Sequence, residues 1–438
     1  MAPEKTFPAR ARRKHMLTSI CGINWGDEGK GRMVDLLSED YDIVCRYQGG
    51  NNAGHTVINE RGKFILNLLP SGILREGVVN VLGNGMVVDI KHLTEEANKL
   101  RAQGIAITPE NLKISDRAVI TMPYHVLMDC LEEERLADKK FGSTRRGIAP
   151  VYADKYMKKA FRMGELLHPE RLYARVKDIV EWKNLTVEKG YGHAPITAEE
   201  VIDYFKTYGE PLKEYICDVG YYLHEANKAG KNIMFEAQLG ALRDIDFGIY
   251  PYTSSSSTIA AYAPIGAGVP NLKLDKSVGI MKAYSTCVGE GPFTAEYFGE
   301  KAEKLRQAGG EYGAATGRPR RVGPFDVVAS RYGIRCQGAD EVALTKLDIL
   351  SGYEELEICT AYEMDGERIT EFPFPDALDK CKPVFEKVMG WNCDITNCRK
   401  WEDLPKEARE YVELIEKLCE CKITYISVGA ERDQIIRR

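Results

Sequence analysis

No apolar run in this 438-residue chain approaches the roughly 20 residues needed to span a bilayer, and its N-terminus has no apolar signal region. A soluble, cytoplasmic protein is therefore expected, with Asn184-Leu185-Thr186 an unused glycosylation sequon. The twelve cysteines include no C-x-x-C pair, and only Cys393/Cys398 and Cys419/Cys421 lie close in sequence. That excludes the usual zinc and dithiol motifs and leaves free thiols. There is no basic excess either: a formal charge of −5 argues against a general nucleic-acid binder. The one basic run, Arg10-Ala11-Arg12-Arg13-Lys14-His15, reads as part of a solvated tail over residues 1–15. With 44% hydrophobic and 29% charged residues, the rest can bury a large core and need not be disordered.

What the chain does have is two glycine clusters. Residues 26–31 read Gly26-Asp27-Glu28-Gly29-Lys30-Gly31, and Gly49-Gly50-Asn51-Asn52-Ala53-Gly54-His55-Thr56 follows. Glycine permits positive φ and close backbone approach to a phosphate, while Lys30 offers a point charge to its oxygens. The first cluster is not the P-loop G-x-x-x-x-G-K-[ST], because Asn24 stands at the first glycine and Gly31 at the magnesium-binding hydroxyl. Asp27 thereby becomes the candidate metal ligand, with general base, helix N-cap and plain surface acid as competing roles. His55 lies in a stretch poor in packing groups, which puts a catalytic role level with a structural one.

Short apolar runs at 16–21, 43–47, 78–82, 278–282, 342–347 and 423–427 read as strands, several ending at Gly, Asn or Asp. Helical patterns around Leu93 to Leu100 and Pro405 to Leu418 alternate with them, which indicates an α/β fold with a largely parallel sheet. Ligands gather at the carboxyl ends of such strands, where the motifs fall. Residues around 155–230 are rich in Lys, Glu and Tyr and read as a helical insertion. Without repeats or linkers, residues 16–438 are expected to form one elaborated domain.

Three further motifs need context. Thr345-Lys346-Leu347-Asp348 resembles the N-K-x-D element of GTP-binding proteins, whose aspartate accepts two hydrogen bonds that adenine cannot donate; a strand-terminal helix cap competes. Thr316-Gly317-Arg318-Pro319-Arg320-Arg321 offers guanidinium forks to carboxylates or phosphates, or is a solvated loop. Asp246-Phe247-Gly248 matches a kinase tripeptide without its companion motifs and reads as coincidence; the hydroxyls of residues 250–258 hold a phosphate or cap turns.

Taken in order, the blocks Trp25 to Gly31, Asn52 to Thr56, Arg146-Gly147-Ile148, Asp244 to Gly248, Val288 to Phe293, Thr316-Gly317-Arg318, Thr345 to Asp348 and Ile426 to Gly429 with Glu431-Arg432-Asp433 resemble the adenylosuccinate synthetase family, from about Ser19 to Gln434. The resemblance implies a large, mostly parallel central sheet flanked by helices with small peripheral subdomains. It implies a homodimer that joins L-aspartate to IMP through a 6-phosphoryl-IMP intermediate, hydrolysing GTP to GDP and phosphate. In that scheme Asp27 takes the N1 proton of IMP and contacts Mg2+, and His55 donates toward the phosphoryl group and O6. Gly54 supplies a second metal ligand through its carbonyl. Gly26, Glu28, Gly29, Lys30, Gly31 and Thr56 surround the GTP phosphates, and Asp348, Lys346, Ser427 and Gly429 enclose guanine. Asn52, Thr144, Gln238, Ser254 and, from the neighbouring subunit, Lys158 contact IMP; Arg318 and Arg320, assisted by Thr316, lie between nucleotide and aspartate.

The chain departs from the family pattern on the IMP and aspartate side. Leu239 occupies the place of the IMP-contacting glutamine, with Gln238 one position early; Lys158 and Cys287 replace arginines, Ser254 a threonine, Arg145 a glycine and Ala315 a hydroxyl residue. Two alternatives therefore stand beside the ligase reading: the same mechanism on another purine monophosphate or amino donor, and a catalytically silent GTP-binding protein.

Overall fold

The computed structural model describes residues 15–59, 61–313, 317 and 319–438. Of the expected tail only His15 falls among them. At the centre is a ten-stranded sheet. β1 (Leu17–Gly22) is buried at every position, as a strand covered on both faces must be. It pairs parallel with Ile233–Gly240 on one side and Lys276–Lys282 on the other. Outward from the first come β2 (Ile43–Arg46), Val79–Leu82, Leu112–Ser115 and Ile216–Cys217; outward from the second come Glu341–Thr345, Ile423–Ser427 and Ile435–Arg437. Every pairing is parallel except the last, where Ile435–Arg437 runs antiparallel.

All the strands expected from apolar runs lie in this sheet, their ends moved by a residue or two. The two helical patterns are α2 (Ile90–Ala102) and the helix Lys406–Cys419, whose buried Ala408, Tyr411, Val412, Ile415 and Cys419 form one apolar stripe. The phosphate-loop helix is α1 (Lys30–Leu37). Residues 155–230 carry the helices Pro169–Asn184, Ala198–Tyr204 and Val219–Lys228. Leu172, Val176 and Phe205 from this segment share a core with Leu93 and Ile114. Peripheral to the sheet are the hairpin His55–Asn59 with Gly62–Leu66 and a mixed sheet around Glu355–Met364.

One central strand was not expected. In Ile233–Gly240 the residues Glu236 and Gln238 interrupt the apolar pattern, yet both are fully buried. Its register with β1 slips after Glu236, and Leu239 takes φ 57°. Such a bulge re-aims side chains at a strand end. The parallel strands deliver their following loops to one rim, so residues 23–29, 47–54, 241–248, 346–348 and 428–434 meet there.

Candidate active site

The loop after β1 is built around an inward-facing carboxylate. Glu28, buried, accepts the N–H groups of Asn24 (3.1 Å) and Gly26 (2.8 Å) on one oxygen and pairs with Lys30 Nζ at 2.5 Å on the other. Both side chains thus shape the loop, and any phosphate contact by Glu28 would run through its backbone. Asp27 sits at φ 60°, a conformation that costs a non-glycine residue and clusters at functional sites. Its side chain is 28% exposed, with Arg320 Nε 3.2 Å from Oδ2. Gly29, at φ 94°, caps α1 without a side chain, leaving that helix's first amides open to an anion.

His55 meets this loop at close range. A Cβ on Gly31 would lie 2.5 Å from His55 Cβ, so only glycine admits the hairpin against α1. His55 Nδ1 is 2.5 Å from Glu236 Oε1, and Ser71 gives Glu236 both its N–H and its hydroxyl at 2.8 Å. Burial lowers the proton affinity of His55. Burial alone would raise Glu236, but the bond from His55 and the charges of His55 and Arg46 hold it below its ordinary value. With Glu236 held as a carboxylate, Nδ1 of His55 is the donor of the pair, which leaves Nε2 as the nitrogen free for chemistry. Thr56, next along the strand, points to solvent.

Arg320 links Asp27 to a second buried carboxylate. Glu311, with no exposed surface, accepts Arg320 Nη1 at 2.7 Å, Lys346 Nζ at 2.6 Å, Lys282 Nζ at 2.9 Å and the Tyr284 hydroxyl at 2.5 Å. Burial opposes its charge, yet these cations hold it well below the usual carboxylate range. Burial pushes Lys282 down to about 8. Lys346, at φ 59°, ends its strand early so that its ammonium reaches Glu311.

At the far end of the rim Asp348 keeps one carboxylate oxygen buried and unpartnered, and burial raises its proton affinity. A buried oxygen without a donor is costly unless a ligand supplies one. Ser427 accepts from Arg32 and donates to the Gly429 carbonyl at 3.0 Å. A Cβ on Gly429 would lie 2.2 Å from Gln434 Oε1. Arg32 also binds the carbonyls of Glu431 and Gln434, and Arg432 binds Asp35 at 2.8 and 2.9 Å. The turn beside Asp348 is thereby fastened to the phosphate-loop helix.

Comparison with known proteins agrees with this geometry: a family model described as adenylosuccinate synthetase matches residues 19–436. The chain belongs to the adenylosuccinate synthetase family. The adenylosuccinate synthetase of Halothermothrix orenii is 46% identical over 420 residues, 96% of this chain and 98% of that one. That of Citrifermentans bemidjiense is 44% identical over 418 residues, 95% and 97% of the two chains. The fully ligated adenylosuccinate synthetase structure from Plasmodium falciparum, 35% identical, superposes with a TM-score of 0.91 over 97% of this chain and 100% of that one.

The residues expected to contact IMP are placed by the structure as follows. Gln238 does not lie open: its amide donates to the carbonyls of Gly50 (2.6 Å) and Asn67 (3.3 Å), while its Oε1 is buried without a donor. Leu239 packs against Gly26, its Cα 3.4 Å from where a Cβ there would sit. Asn52 Oδ1 accepts from Gly50 N at 3.3 Å. Ser254 is 9% exposed and lies 3.4 Å from Ser256 Oγ. Thr144 is exposed in the loop before the helix Ile148–Met157, and Lys158, also exposed, caps that helix at φ 62°. Thr316 and Arg318 lie outside the described residues.

Two residues of this chain could offer oxygens to the Mg2+ that the family implies. Asp27 offers a partly exposed carboxylate and Gly54, in the partly exposed bend before His55, a carbonyl. Few protein oxygens are what a magnesium ion shared with substrate phosphates requires; among the described residues no cluster of three or more His, Cys, Asp or Glu would compete for it. Sequence reasoning missed Glu236, Glu311 and Arg32. Most of their partners are well separated in the chain, and only the polar interruption at Glu236 in an apolar run signalled anything.

Proposed function

We propose that the protein joins L-aspartate to IMP at the expense of GTP, giving adenylosuccinate, GDP and phosphate. Family membership across nearly the whole chain supports this reaction, and the observation that carries its assignment to this rim is the presence along it of Asp27, the His55–Glu236 pair and the unpartnered Asp348 oxygen.

The chemistry suits those groups. Oxygen O6 of IMP is a poor leaving group until it carries a phosphoryl. Asp27 takes the N1 proton, electron density moves to O6, and O6 attacks the γ-phosphorus as GDP departs. Nε2 of His55, with Glu236 behind the ring, stabilises charge on the transferring group once that nitrogen is protonated. The amine of aspartate then attacks C6, and phosphate leaves with the former O6. Asp348 selects guanine by accepting from its N1–H and amine, and the amides opening α1 hold the phosphates. Asp27 and the Gly54 carbonyl would hold Mg2+, which when bound neutralises charge between the β- and γ-phosphates. The working form is a cytoplasmic homodimer in which exposed Lys158 reaches the neighbour's IMP phosphate; the exposed Tyr156 and Met157 beside it provide apolar surface for that contact. Its single ammonium lacks the bidentate fork of arginine.

A second reading has one specific observation behind it. Leu239, not an amide, packs beside the phosphate loop, so the purine pocket is less polar than the family pattern. A panel of purine monophosphates and amino acids with GTP and Mg2+ tests both readings: IMP with L-aspartate should give the highest kcat/KM, and a clear preference for another pair would transfer the conclusion to the second.

A further inference from the structure

Arg243 is a buried guanidinium that the mechanism does not use. It ends the short helix Ala241–Arg243 after the central strand and is 8% exposed. One nitrogen, Nη1, donates to the carbonyls of Tyr252 and Glu290, the latter at 3.3 Å. The other, Nη2, donates to Val288 O at 2.5 Å and Glu290 O at 3.4 Å and lies 3.0 Å from Cys287 Sγ. Its own carbonyl accepts Ser254 N–H at 2.8 Å. Position 287 is a cysteine in this chain, and the charge beside it comes from position 243.

Burying a guanidinium is unfavourable unless its donors are met, and here backbone oxygens of two other segments meet them. Those segments lead to the IMP wall. From Tyr252 the chain runs to Ser254, whose hydroxyl joins Ser256, Gln48 and the Gln238 carbonyl in one hydrogen-bonded series. The 287–290 segment packs on the loop that carries Thr144: a Cβ on Gly142 would lie 3.2 Å from Glu290 N. Arg243 is thus one side chain that joins the segments behind both hydroxyl-bearing walls. Asp348 and α1 lie away from these contacts.

We propose that Arg243 is a positioning residue for IMP, holding Ser254 and the Thr144 loop at the separation the nucleotide needs. This rests on the proposed function above. The test uses full-length Arg243→Met and Arg243→Lys, with KM for IMP measured at saturating GTP and aspartate, KM for GTP at saturating IMP, and ligand-free thermal melting. Methionine should raise KM for IMP by about tenfold or more with KM for GTP little changed, and lysine, which can serve some of the carbonyls, should fall between methionine and wild type. If the methionine variant does not fold, lysine carries the same comparison. A lowered melting temperature with an unaltered KM for IMP, or equal rises in both KM values, would overturn the proposal. A wild-type enzyme that makes no adenylosuccinate would instead remove the functional reading on which it rests.

Discussion

Glu236→Gln changes one atom of a fully buried carboxylate and should disable the imidazole in front of it. Oε1 of Glu236 accepts from His55 Nδ1 at 2.5 Å and from the Ser71 hydroxyl at 2.8 Å, and Oε2 accepts Ser71 N–H at 2.8 Å. Glutamine offers one acceptor and one donor. If its oxygen keeps His55, its NH2 faces the Ser71 amide, donor against donor. If its NH2 faces His55, Nδ1 must lose its proton and the ring adopts the other tautomer with no charge behind it. Loss of a hydrogen bond to a charged group is worth about 1.5–3 kcal/mol, and a mis-set proton-transfer group costs about 10²–10⁴ in rate. Both act through the same ring and do not add, so kcat should fall about 10²–10³-fold. KM for GTP should hold, because the guanine contacts lie elsewhere. Ser71→Ala, which spares the carboxylate, should cost about tenfold or less. The assay is steady-state adenylosuccinate formation, with circular dichroism confirming the fold. A glutamine variant with wild-type kcat would refute the proposed role of His55.

Asp27→Asn should nearly abolish turnover while GTP binding, followed by calorimetry, persists; substantial residual kcat would move the base elsewhere. Asp348→Asn loses one acceptor for guanine, so the ratio of kcat/KM for GTP over ATP should narrow by about 1–3 kcal/mol. Burial holds Lys282 down to about 8 against an ordinary 10.5. Above about pH 8 Glu311 therefore loses one of its cations, and KM for GTP should rise in a step that Lys282→Met removes. The sign for stability is opposite: the cost of burying this cation is present below about 8 and relieved between about 8 and 10.5. Melting curves over that window should show no loss attributable to Lys282.

The parallel sheet was legible because strands covered on both faces read as short, largely apolar runs, as β1 does despite its buried Thr18 and Ser19. Ile233–Gly240 was not, because Glu236 and Gln238 are buried by partners rather than by apolarity. Glu236 is 181 residues from His55, and Ser71 is 165 from Glu236, distances at which no spacing rule operates. Asp27, His55 and Asp348 were visible because backbone demands surround them with glycines or place them at a strand end. Lys346 was expected to enclose guanine, yet its ammonium is engaged by Glu311 and by Gly309 O at 2.8 Å, leaving its aliphatic stem for that role. The Asp246-Phe247-Gly248 likeness also resolves physically: Asp244, fully buried, accepts the N–H groups of Asp246 and Phe247 and makes a turn.

The central claim is that O6 of IMP is phosphorylated and then leaves as phosphate. Running the reaction with IMP carrying 18O at position 6, with GTP, Mg2+ and L-aspartate, tests it directly by mass spectrometry of the products. The account predicts one 18O in each phosphate released per adenylosuccinate formed, and none in the adenylosuccinate at C6. Unlabelled phosphate, or GTP hydrolysis without adenylosuccinate, would contradict it.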